Sequence, residues 1–301
     1  MTGAPERTAI RRRRAIAALM IVGAALAIFA VVASSGALNE ESSGPSAEGR
    51  LPNNPGAESG AAKRAPARGS YRGSVPILMY HVIKAPAPGV AYPELWAPPA
   101  TFRATIAALA QAGYRGVTMA QVWAAWHGGD GLPAKPIVVS FDDGYLSHFV
   151  TARPILKQVG WPGVLNLEGK NIGPGGLTIS QVNGLISDRW EIGAHSMTHP
   201  DLTTVSSAQL EREVAGSRAL LERTFKVSVT TFCYPAGRND ASVRAAVKAA
   251  GYSNATTVDP GIAAPTDDPF ALPRIRVNGT DSPQTVLSRV ESGAGAGGAY
   301  G

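Results

Sequence analysis

Short apolar runs alternate with stretches of helical periodicity throughout residues 75–292. Runs at 75–80, 116–118, 137–141, 163–166, 190–194, 231–233, 252–256 and 274–277 have the length and β-branched or aromatic content of strands. Between them, apolar spacing predicts helices over 102–112, 119–126, 152–159, 181–187, 207–225 and 241–250. The clearest is 207–225, where Ser206 and Gln209 stand in capping-box spacing and Leu210, Val214, Leu221 and Phe225 share one face. Gly113, Gly160 and Gly251 follow predicted helices where a left-handed residue ends the last turn. Such alternation predicts an α/β fold with a parallel sheet closed into a barrel, with chemistry at the C-terminal ends of its strands.

The pattern changes outside this region. Residues 15–33 carry no charge and directly follow Arg11, Arg12, Arg13 and Arg14. Nineteen apolar residues suffice to span a bilayer. The arginines place residues 1–14 in the cytoplasm and send the remainder across, so the expected location is the cell membrane with an extracytoplasmic domain. The run exceeds the usual length of a signal-peptide core, which favours an uncleaved anchor. Small residues at Val32-Ala33-Ser34-Ser35 keep a cleaved, secreted form as the alternative. Residues 34–74, rich in Ser, Gly, Ala and Pro, bury too little apolar surface to offset ordering and read as a flexible linker, and residues 293–301 as a flexible tail.

Charge narrows the possible partners. The formal charge is +6, but removing the first 33 residues takes away five arginines and Glu6, leaving 23 basic against 21 acidic side chains. The basicity therefore belongs to the leader, and no nucleic-acid partner is expected. A single cysteine, Cys233, excludes an internal disulfide and a multi-cysteine zinc site.

Two strand ends concentrate chemistry. The run 137–141 stops at Asp142-Asp143-Gly144. Adjacent carboxylates there must be paired, metal-bound or solvated, and they point in different directions, so one can face a metal and the other a substrate. An ordinary Asp-Asp-Gly turn is the plainer alternative. The run 190–194 leads into His195-Ser196-Met197-Thr198-His199, with two of the chain's five histidines at metal-ligand spacing. A third strand end, Cys233-Tyr234-Pro235-Ala236-Gly237-Arg238, is a turn whose backbone N–H groups could face a ligand.

Phe141-Asp142-Asp143-Gly144, His195-Ser196-Met197-Thr198-His199 and Phe232-Cys233-Tyr234-Pro235-Ala236-Gly237 together resemble the first three motifs of the polysaccharide deacetylase domain (NodB homology, carbohydrate esterase family 4). The resemblance implies a distorted (β/α)7 barrel over about 75–292 and metal-dependent removal of N-acetyl groups from polysaccharides containing N-acetylglucosamine. It assigns Asp143, His195 and His199 to the metal, Asp142 to the general base, the Ala236 N–H to the oxyanion, and Tyr234 and Pro235 to the substrate. Zinc is the default ion, with cobalt, nickel, manganese or iron as substitutes.

The sequence departs from the usual pattern twice. The late Leu-x-His motif that normally supplies a general acid reads Leu272-Pro273-Arg274, and no histidine follows His199. Leu78-Met79-Tyr80-His81 instead resembles the N-terminal motif of the poly-N-acetylglucosamine exopolysaccharide branch, a circularly permuted form, which makes His81 the expected acid. Cys233 stands where an arginine usually tethers the catalytic aspartate, leaving Arg238, Arg274 and Arg276 as candidates to replace it. Cys233 itself reads as a small buried hydrophobe, His127 as a surface residue, and His148 as the start of a helix or a rim residue. Trp96 and Tyr92 lie in a loop where they would either stack on sugar or anchor the loop. The expected partners are an acetylated polysaccharide and the membrane, with the chain a monomer. Two other functions fit the same residues: an O-acetyl esterase acting on xylan or cell-wall polymer, and a non-catalytic carbohydrate-binding module.

Overall fold

The computed structural model describes residues 71–293. The leader, nearly all of the linker and the last eight residues lie outside this range, and with them the expectations of an anchor and a flexible tether. Among the described residues no helix is long and apolar enough to cross a membrane.

The elements follow in the order β1 (Ile77–Tyr80), α1 (Pro99–Gln111), β2 (Arg115–Gly116), α2 (Met119–Trp126), β3 (Pro136–Asp143), α3 (Arg153–Gln158), β4 (Val164–Leu167), α4 (Ile179–Ser187), β5 (Glu191–Ala194), α5 (Ser207–Phe225), β6 (Thr231–Cys233), α6 (Ala241–Ala249), β7 (Asn254–Pro260), β8 (Leu272–Arg276) and α7 (Pro283–Ser292). All strand pairings between them are parallel. β1 joins β3 through Ile77↔Val138 to Tyr80↔Phe141 and joins β8 through Leu78↔Ile275 and Met79↔Arg276. These two contacts close β1, β3, β4, β5, β6, β7 and β8 into a seven-stranded ring, while β2 pairs only with the start of β3. A register shift between Thr256 and Pro260 makes the β7–β8 side of the ring irregular.

Local sequence explains where the helices begin and end. Thr118 with Gln121 and Thr178 with Gln181 form complete capping boxes at α2 and α4. At α5 only half of the expected box exists: Ser206 accepts from the Gln209 N–H, at 3.4 Å, without the reciprocal bond. Gly113, Gly160 and Gly251 have φ of 92°, 72° and 84°, the left-handed geometry expected of them. α7 was not foreseen from apolar spacing, since Val286 and Val290 are its only buried residues. Ser282 caps it, Pro283 opens it, and it packs on α1.

The main apolar core lies where the helices cover the barrel, with Leu78, Tyr80, Phe102, Phe141, Leu165 and Phe232 among its members. A second cluster joins Ile77, Val164 and Leu272, the first residues of β1, β4 and β8, to Val138 and α2. Apolar packing thus occupies the N-terminal end of the ring, and the polar residues collect at the other end.

Candidate active site

The C-terminal ends of the barrel strands surround a cleft of about 320 Å³. His81, Asp142, Asp143, His195, His199, Tyr234, Ala236 and Arg274 all line it. Of the seven non-glycine residues with left-handed backbone among the described residues, four, Tyr92, Asp143, His199 and Ala236, are also lining residues. Strain is therefore concentrated where side chains and N–H groups converge on the cleft.

Asp142 is the penultimate residue of β3, its side chain 2% exposed. Arg274, from β8, donates Nη1 to Oδ1 at 2.9 Å and Nη2 to Oδ2 at 2.8 Å, a bidentate pair. Asn166 Nδ2 adds a third bond to Oδ1 at 2.8 Å. The guanidinium is itself fixed, because Nε donates to the Thr257 carbonyl at 2.7 Å and Nη1 also reaches Ser140 Oγ at 3.2 Å. Burial alone would raise the Asp142 pKa, but the charge and hydrogen bonds of Arg274 prevail and hold it far below the usual carboxylate range. Of the three arginines left open by the sequence, Arg274 is the one that ties Asp142, while Arg238 pairs with Asp201 at 2.6 Å.

Close approach at Gly193 permits the Asn166 contact. A Cβ on Gly193 would lie 2.6 Å from Asn166 Oδ1, so glycine leaves room for the amide that supports Asp142. Cys233 is fully buried, its Sγ 3.7 Å from Asp142 Oδ2, and fills part of the remaining space around that carboxylate.

Asp143, at φ 77°, turns its carboxylate away from this cluster and toward the two histidines. Oδ1 is 3.3 Å from His195 Nε2 and 3.8 Å from His199 Nε2. His195 places its Nδ1 2.7 Å from the Cys233 carbonyl, which fixes Nδ1 as the donor there and directs Nε2 to Asp143. Burial opposes charge on His195, yet Cys233 and Asp143 raise its pKa well above the ordinary value. His199 moves the other way, lowered by burial and by its neighbour His195. The loop around Asp143 is braced by Asn171 Nδ2, which donates to the Asp143 carbonyl at 2.9 Å and to Glu168 Oε2 at 2.8 Å.

Two donor groups among the described residues have metal-compatible spacing, Asp143/His195/His199 and Asp142/His195/Cys233, with donor atoms within 4.8 Å of one another. The second is wholly buried and its carboxylate is already neutralised by Arg274. The first combines a carboxylate with two imidazoles and borders the cleft, a donor set that fits a divalent ion with positions left for water and substrate.

His81, at the end of β1, completes the cluster with Nε2 3.9 Å from Asp142 Oδ2. Burial lowers its pKa, while Asp142 and Asp143 act to raise it. Its carbonyl accepts from His148 Nε2 at 2.6 Å. His148 does begin a helical turn, at His148–Ala152, but it is fully buried and no rim residue. On the opposite side, Ala236 has φ 51° and ψ 17° within a turn over Pro235–Gly237. The Gly237 and Arg238 N–H groups donate to Tyr234 and Pro235, whereas that of Ala236 meets no acceptor among the described residues. Tyr234 lines the cleft but commits its hydroxyl to the Phe270 carbonyl at 2.9 Å. Pro235 is buried and is not a lining residue, so any influence it has on substrate runs through the turn it shapes. Of the two loop aromatics, Tyr92 lines the cleft and is 62% exposed, while Trp96 is half-buried and its backbone pairs with Val82.

A parallel barrel whose strand ends gather two carboxylates and three histidines around a candidate metal group is the architecture of a hydrolytic site. Residues 129–255 match the polysaccharide deacetylase family model. YxkH of Bacillus subtilis (strain 168), whose name assigns it to the polysaccharide deacetylases, is 31% identical over 206 residues, 68% of this chain and 71% of that protein. The chain belongs to the polysaccharide deacetylase family. A 62-residue stretch is 44% identical to the poly-beta-1,6-N-acetyl-D-glucosamine N-deacetylase of Escherichia coli (strain K12), covering 21% of this chain and 9% of that protein. The deacetylase PplD of Streptococcus pyogenes, solved in complex with acetate, shares the fold with a TM-score of 0.67 at 24% identity, over 72% of this chain and 98% of PplD.

Proposed function

We propose that this deacetylase removes N-acetyl groups from a polysaccharide containing N-acetylglucosamine, using a divalent ion held by Asp143, His195 and His199. The carrying observation is the division of labour between adjacent carboxylates: Asp143 faces two imidazoles, and Asp142 is locked by Arg274 within 3.9 Å of His81. The ion, zinc first by its donor set, would lower the pKa of a water and polarise the acetyl carbonyl when bound. Asp142, kept ionised by Arg274, accepts the proton of the attacking water. The Ala236 N–H donates to the carbonyl oxygen as it gains negative charge. An amine is a poor leaving group until protonated, and His81 gives its nitrogen that proton.

The short match to the Escherichia coli enzyme supports an N-acetylglucosamine polymer as substrate. The charge pattern of residues 1–33 adds an extracytoplasmic site of action to the proposal. The test uses the full chain in detergent, stripped with chelator and reloaded with zinc or cobalt. Acetate release from N-acetylglucosamine oligomers should require metal and vanish in Asp142→Asn and His81→Ala. Release from O-acetylated xylan that survives His81→Ala would favour an esterase, because an alcohol leaves with less help from an acid. Stoichiometric metal binding without release from any acetylated sugar would refute the proposal.

A further inference from the structure

The turn carrying both histidines is held by a residue of a different element. Glu213 lies in the middle of α5, yet it is only 5% exposed. Its Oε2 accepts from the Met197 N–H at 2.8 Å and the Thr198 N–H at 2.9 Å, and its Oε1 accepts from Thr198 Oγ1 at 2.6 Å. It makes no ion pair among the described residues, so its hydrogen bonding is directed to the segment between His195 and His199. An apolar side chain would satisfy helix packing at lower cost, since a buried carboxylate is expensive unless its oxygens are bonded.

The two histidines depend on this support unequally. His195 extends directly from β5, with its N–H bonded to the Leu167 carbonyl at 3.1 Å and its Nδ1 fixed by Cys233. His199 is reached only through a turn in which Ser196 and His199 have φ of 62° and 60°. Within it the His199 N–H bonds Ser196 Oγ at 2.9 Å, and its side chain is 33% exposed. Two consecutive N–H groups gathered on one carboxylate curl the chain between these residues and turn His199 back toward Asp143. We infer that Glu213 is a positioning residue that sets the reach of His199 to the cation. This rests on the reading of Asp143, His195 and His199 as the metal site.

The test compares Glu213→Gln, Thr198→Val and His199→Ala in the full chain. Three quantities are read: zinc affinity by competition with a chromophoric chelator, the cobalt ligand-field spectrum, and the melting temperature without metal. Glutamine keeps the shape and removes the charge: with its carbonyl oxygen on the Met197 and Thr198 N–H groups its NH2 meets Thr198 Oγ1, so the variant takes away the charge-assisted strength of the bonds that hold the turn. Zinc affinity should fall about 10- to 100-fold in Glu213→Gln, as for other outer-shell supports of metal ligands. Its cobalt spectrum should move toward that of His199→Ala, and Thr198→Val, which loses one bond, should fall less. Unchanged affinity and spectrum in Glu213→Gln would overturn the inference even if melting drops, leaving Glu213 a packing role only. If Glu213→Gln does not fold, Thr198→Val decides, and wild-type affinity there overturns it. Absence of metal binding by the unsubstituted chain would instead refute the proposed function, and this inference with it.

Discussion

Replacing Arg274 with methionine tests whether the guanidinium governs Asp142. Methionine keeps much of the volume and removes both charge-assisted bonds, 2.9 and 2.8 Å long, between side chains 0% and 2% exposed. Removing one partner of a buried pair leaves the other charge uncompensated, at a cost of about 3–5 kcal/mol. Desolvation, the largest influence on Asp142, would then raise its pKa without the opposing guanidinium. The single variant should lose stability in urea titrations near neutral pH. In the double variant with Asp142→Asn, no buried charge remains, and roughly 2 kcal/mol or more should return. The acid limb of the acetate-release profile should also move to higher pH in Arg274→Met, because the base must ionise from a raised pKa. A single-variant cost below about 1 kcal/mol, or purely additive losses in the double variant, would refute the reasoning.

His148 is buried with its pKa lowered to about 4, chiefly by desolvation, so between pH 6.5 and 4 the unfolded chain binds a proton that the folded chain does not. Stability should be fully present above pH 6.5 and fall by about 2 kcal/mol by pH 5 from this group, a loss that denaturant titrations should find reduced in His148→Gln. Tyr92, 62% exposed at the cleft, should support sugar without supporting the fold. Tyr92→Ala should leave stability within about 0.5 kcal/mol and raise KM for oligomers, and an unchanged KM would remove it from the binding surface.

The alternation of strands and helices was legible because burial imposes its period on each element, and observed bounds differ from the expected ones by a few residues at most of them. α7 was hidden because two buried valines leave little periodicity in a polar stretch. Barrel closure followed from the number of strands, but the place of β2 outside the ring did not, since a two-residue strand has no pattern of its own. The candidate site was legible where the chemistry is packed into short motifs, at Asp142-Asp143 and His195 to His199. Its supports were not, because they depend on long-range geometry. Arg274 reaches Asp142 across 132 positions, and nothing local separates it from Arg238 or Arg276. Glu213 looks like any helix-surface glutamate until α5 is docked, and Asn166 is distinguished only by the space that Gly193 leaves across the sheet.

Ring closure also sets an order of assembly. The three donors of the open metal group come from the ends of β3 and β5, complete in the chain by residue 199, whereas the cation that stabilises Asp142 arrives only with β8. A folding intermediate holding β1 and β3 to β7 without β8 would carry the three donors of that group and His81, with Asp142 lacking Arg274. Contacts so distant in sequence form slowly because the intervening loop must first be closed. On the proposed mechanism, hydrolytic competence is then coupled to the docking of β8: a partly folded chain would capture metal before it could perform hydrolysis, so metal uptake and acetate release should recover at different rates during refolding.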